Sequence, residues 1–69
     1  MYSTAIKRKI NELCKEQNVT PENLHNILGF TMELSEQIVN GEYCPNPNEI
    51  FLVAAYLHVN IDEIVTAKQ

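Results

Sequence analysis

Apolar residues recur along this chain at three- and four-residue intervals, separated by short polar stretches that carry helix starts and stops. Ile6, Ile10, Leu13 and Gln17, with Cys14 beside Leu13, follow the i, i+4, i+7 rhythm of one amphipathic helix. Ser3 or Thr4 is placed to cap its start. Thr20-Pro21-Glu22 opens a second helix, with threonine as the cap and proline in the first turn, where no N–H is needed. Leu24, Ile27 and Leu28 form its expected buried face, and Gly29 ends it. Thr31 caps a third helix through Val39, closed by Gly41 in the left-handed conformation that lacks a Cβ penalty only for glycine. Asn46-Pro47-Asn48-Glu49 sets a cap, a first-turn proline and a capping-box glutamate ahead of a fourth helix. Asn60-Ile61-Asp62-Glu63 repeats the cap-and-glutamate device before a fifth. No alternating strand pattern competes. The expected fold is all-α, five short helices in one compact domain.

The fourth helix is apolar throughout from Ile50 to Leu57. Ile50, Val53, Ala54 and Leu57 fit a core-facing stripe, with Phe51 at its border. Leu52, Ala55 and Tyr56 share another face. A helix apolar all round must be covered all round, and a chain of 69 residues is too small to do that alone. Leu52, Ala55 and Tyr56, joined by Ile61 and Val65, are therefore expected to form a self- or partner-binding patch.

Composition limits the rest. The length fits a single domain, residues 1–69, and a hydrophobic content of 45% excludes a disordered tail. No apolar run approaches the roughly 20 residues that span a bilayer. MYSTAIKRKI has no apolar signal core, and the two cysteines stand thirty positions apart, so reduced thiols and a cytoplasmic location are expected. Cys14, Cys44, His25 and His58 have neither CxxC nor HxxxH spacing, so no metal or other cofactor is expected. With no nucleophile–base pair, carboxylate dyad or phosphate loop, the chain does not read as an enzyme.

From Ile10 to Val65 the spacing resembles the Cro/repressor (lambda-repressor-like, XRE) helix-turn-helix family. The residues that carry the likeness are Leu24, Leu28-Gly29-Phe30-Thr31, Ile38, Asn40-Gly41, Pro45, Ile50, Ala54, Leu57, Val59 and Ile61-Asp62-Glu63-Ile64. The resemblance implies that helices of about 20–28 and 31–39 form the motif, with Gly29 in its turn and the second helix as the recognition helix. It also places Cys14 and Val39 where the family often has a buried arginine–glutamate pair; replacing both partners together avoids leaving one buried charge alone. Pro21 stands where the family usually has a phosphate-contacting glutamine, which removes that anchor. His25 replaces a small alanine where the two motif helices cross, and His58 a frequent glycine. Ser35 occupies a usually aliphatic buried position. Leu34 and Ile38 can supply the core stripe instead, with the third helix turned by about 100°.

Function then depends on charge. Recognition-helix candidates are Thr31, Met32, Glu33, Ser35, Glu36 and Gln37; glutamine can pair with adenine, glutamate with cytosine, methionine with a thymine methyl. Phosphate contacts fall to Lys7, Arg8 and Lys9 on helix one, with Lys15 nearby. Between Lys15 and Lys68 there is no lysine or arginine, while residues 16–67 carry Glu16, Glu22, Glu33, Glu36, Glu42, Glu49, Asp62 and Glu63, and the net charge is −4. That balance opposes nonspecific binding to nucleic acid or anionic membrane. Two readings follow. The resemblance implies a small transcriptional regulator that binds double-stranded operator DNA, as a homodimer, through helix 31–39. The acidity points to an interaction module that binds another, basic regulator protein in an antirepressor-like role, without touching DNA. A member of a toxin–antitoxin or similar regulatory pair is a third possibility.

Overall fold

The computed structural model describes residues 2–65, with side chains from residue 4 onward. They form α1 (Tyr2–Gln17), α2 (Pro21–Leu28), α3 (Met32–Val39), α4 (Pro47–Leu57) and α5 (Ile61–Val65), without a strand among the described residues. Each helix drives at least one side chain to the centre: Ile10, Leu24, Ile38, Val53 with Leu57, and Ile64 are all at most 1% exposed. Burying apolar area of this kind contributes about 25 cal/mol per Å² and is the main term holding so short a chain together.

The starts and stops follow from side-chain chemistry. Thr20 Oγ1 accepts from the Asn23 amide and Asn23 Oδ1 accepts from the Thr20 amide, closing a reciprocal box that uses asparagine in place of glutamate. Thr31 Oγ1 accepts from the Leu34 amide at 3.1 Å. Asn46 and Glu49 exchange two bonds of 2.9 Å, and Glu63 returns to the Asn60 amide at 3.2 Å. Three helices end in one way. Asn18, Gly41 and His58 each take a left-handed φ (57°, 76° and 60°), and the amides there and one residue later bond back to the last turn. Glycine does this freely; asparagine and histidine do it against their Cβ.

Several expectations are corrected. Helix α1 begins at Tyr2, so Ser3 and Thr4 lie inside its first turn and do not cap it. Ala5 and Ile6, one turn on, are already buried. Ile27 is 62% exposed, because the buried line of α2 runs through Leu24, Leu28 and half-buried Pro21, about 100° away. The suggested turn of α3 does not occur. Ser35 and Ile38, at 0% and 1%, face the core and Leu34 only borders it. The roll of α3 is held at both ends, by buried Phe30 in the three-residue connection and by Asn11 Nδ2 donating to the Val39 carbonyl at 2.7 Å. His25 does not fill a helix crossing. It is exposed, and its Nδ1–H donates to the Phe30 carbonyl at 2.6 Å. Gln17, the polar member of the α1 stripe, is exposed and donates from Nε2 to the Leu57 carbonyl at 2.7 Å, tying α1 to the end of α4.

Candidate functional site

The connection between α2 and α3 is three residues, Gly29-Phe30-Thr31, and it fixes how α3 is displayed. Gly29 has φ 79° and its amide bonds to the His25 carbonyl at 3.2 Å, turning the chain sharply after α2. Phe30 is buried and anchors the turn. Thr31 then caps α3 and stays exposed. The His25 ring, bonded to Phe30 across this turn, ties the end of α2 to the start of α3.

With Ser35 and Ile38 inward, the solvent face of α3 is Glu33, Glu36, half-buried Gln37 and Asn40, with Met32 at its edge, 37% exposed. The structure therefore brings Thr31, Met32, Glu33, Glu36 and Gln37 to one surface. Ser35 is excluded from it: at 0% exposure it can reach neither DNA nor a partner. Its Oγ has no hydrogen-bond partner, an uncompensated buried polar atom. Asn40 is the residue that motif reasoning leaves out, because the third helix is expected to end at Val39; its spacing of four from Glu36 puts it on this face. The face carries two carboxylates and no cation.

Among the described residues the lysines and the arginine lie on α1. Arg8 and Lys15 are exposed, and Lys7 and Lys9 half-buried. Lys7 belongs to the stretch that packs beside the end of α3: a Cβ built on Gly41 would lie 3.4 Å from the Lys7 carbonyl and 3.3 Å from Asn11 Cβ. Cys14 and Val39, from α1 and α3, line one groove together with Asn11, Val19, Thr20 and Asn40. Burial pushes the Cys14 thiol up to about 11 from an ordinary 9.0. Tyr43 donates to Glu49 Oε1 at 3.1 Å, and that bond, more than its partial burial, raises the Tyr43 hydroxyl pKa.

The expected association patch is only partly exposed. Leu52 is 40% exposed and Ala55 is exposed, but Tyr56, Ile61 and Val65 are half-buried and pack on the core. Phe51 is not a border residue: it is 63% exposed. Among the described residues no three His, Cys, Asp or Glu side chains converge, and no helix is long and apolar enough to cross a membrane. No family model, curated protein or solved structure matches the chain.

Proposed function

We propose that the chain is a small transcriptional regulator of the Cro/repressor helix-turn-helix type that reads double-stranded operator DNA through α3. The observation that carries this reading is the α2–α3 pair: two eight-residue helices, a three-residue turn with left-handed Gly29, and a second helix whose outer face is free of core contacts. In that arrangement the first helix crosses the backbone and the second enters the major groove. Met32, Glu33, Glu36, Gln37 and Asn40 are the base-reading candidates, with Gln37 and Asn40 suited to adenine and the glutamates to the cytosine amino group. Lys7, Arg8 and Lys9 supply phosphate contacts from α1.

The acids on α3 favour a second reading, in which the same face binds a basic regulator protein and modulates it. Replacing Glu33 and Glu36 with glutamine separates the two. On DNA, loss of two like charges strengthens nonspecific binding and changes specificity only where a glutamate reads a base. On a basic protein, association slows and loses its salt dependence. Unchanged affinity for both DNA and protein would remove α3 from either role.

A further inference from the structure

His25 is the one residue between Lys15 and His58 whose side chain can become a cation. Its ring is already held. Nδ1 lies 2.6 Å from the Phe30 carbonyl, which can only accept, so Nδ1 carries a proton and the neutral ring keeps its lone pair on Nε2. The residue is exposed, and Phe30 immediately precedes Thr31, the cap of α3. The ring therefore stands at the edge of the α3 surface, fixed at one nitrogen, with the other toward solvent. The helices that α2 packs against are α3 and α4. Their charged groups are Glu33, Glu36 and Glu49, the last held by the Asn46 amide and the Tyr43 hydroxyl, and α2 itself adds Glu22 one turn back. A proton on His25 meets acids there and no cation.

On the reading of α3 as a DNA-binding helix, on which this rests, we infer that His25 is a phosphate-contacting residue that takes up a proton from solvent as DNA binds. Imidazole is the side chain that changes charge between about pH 5 and 8. Because Nδ1–H is committed to Phe30, the incoming proton goes to Nε2. The new Nε2–H then donates to a phosphate oxygen in a charge-assisted bond. Position agrees with this role. In a helix-turn-helix the first helix crosses the backbone while the N-terminal residues of the second contact bases. An exposed ring on α2 beside the start of α3 stands where the phosphates run. The amides at the start of α3 carry partial positive charge and draw the same anion. His25 thus supplies the cation that α2 and α3 otherwise lack. A basic protein on the same surface requires the opposite sign: a proton on His25 repels it, and acid weakens its binding.

Affinity of the full chain for duplexes selected from a random pool at pH 6, measured from pH 6 to 8 at fixed salt, tests this. The window lies above the usual carboxylate range and below the Cys14 thiol at about 11 and the raised Tyr43 hydroxyl. Affinity should fall about fivefold or more across it, uptake of one proton setting a limit of about tenfold per pH unit. The salt slope should be steeper by about 1 at pH 6 than at pH 8. His25→Asn keeps an amide donor at the Nδ1 position but cannot ionise, so it should match wild type at pH 8 and gain nothing at pH 6. His58→Asn, at a left-handed position that asparagine tolerates, should retain the wild-type pH dependence. Should His25→Asn fail to fold, calorimetry of the wild type in buffers of different ionisation heat counts the protons taken up with duplex. Duplex binding without proton uptake, or a pH dependence that survives in His25→Asn, overturns the role of His25 and leaves the DNA reading standing. Absence of duplex binding at every pH overturns both.

Discussion

The side chain of Asn11 on α1 donates to the carbonyl of Val39, the last residue of α3, across 28 positions of sequence and 2.7 Å of space. The same asparagine stands beside Gly41, where an added Cβ would lie 3.3 Å from the Asn11 Cβ. One side chain therefore satisfies a helix-end carbonyl and braces the turn that follows. Asn11→Ala should destabilise by about 1–2 kcal/mol, through the lost bond and a carbonyl left short of a partner. Urea unfolding measures this, and a change within a few tenths would show that water replaces the amide.

Cys14 and Val39 line one groove, and this makes a double-mutant cycle informative. Cys14→Arg alone should cost roughly 3–5 kcal/mol, the range for an unpaired buried charge, and Val39→Glu, at a half-buried position, less. The double variant should recover part of that loss. Purely additive effects would mean that the two positions do not interact, and the proposed family register would go with them.

Two local strains should be removable. His58 holds a left-handed conformation at the end of α4, so His58→Gly should stabilise by about 1 kcal/mol. Ser35 buries a hydroxyl with no partner, so Ser35→Ala should be neutral or stabilising by up to about 1–2 kcal/mol. Thermal melts decide both; a clear loss of stability in Ser35→Ala would mean that the hydroxyl is bonded in solution.

The helices were legible in the sequence because their signals are local. Thr20, Thr31 and Asn46 each accept from an amide three residues on, Glu63 accepts from the Asn60 amide, and α2 to α5 start where these devices predict. The stripe Ile50, Val53, Ala54 and Leu57 was legible for the same reason. What failed depends on partners distant in sequence. Ile27 and Leu28 are indistinguishable by period, and only the position of the other helices decides which turns inward. Ser35 read as a surface residue because a serine carries no apolar signal, while Asn11 and Phe30, far from it in sequence, fix the roll of α3. Of the candidate surface, Met32, Glu33, Glu36 and Gln37 follow from spacing once that roll is known, and Asn40 joins them.

The two thiols should separate chemically. Cys14 is 1% exposed with its pKa up at about 11, whereas Cys44 is half-buried. A maleimide at neutral pH should label Cys44 well before Cys14, with both labelled in denaturant. The sign for stability follows: a thiol whose pKa is raised on folding keeps its proton longer in the native state. Its contribution is therefore complete below pH 9.0 and is lost as pH rises toward about 11. The raised Tyr43 hydroxyl acts in the same direction. Equal labelling rates in the native protein would show that α1 opens readily.

The central claim is that an acidic domain reads DNA through α3, and a salt titration of duplex binding tests it most directly. An operator pool selected from random duplexes supplies the probe. Lys7, Arg8, Lys9 and Lys15 are the cations of α1, so the logarithm of affinity should fall against that of salt with a slope of about −3 to −4 per chain. The account predicts that slope, reduced by about 1 in Lys7→Gln. Absence of duplex binding even at low salt, while a basic partner protein still binds the Glu33 and Glu36 face, would contradict it.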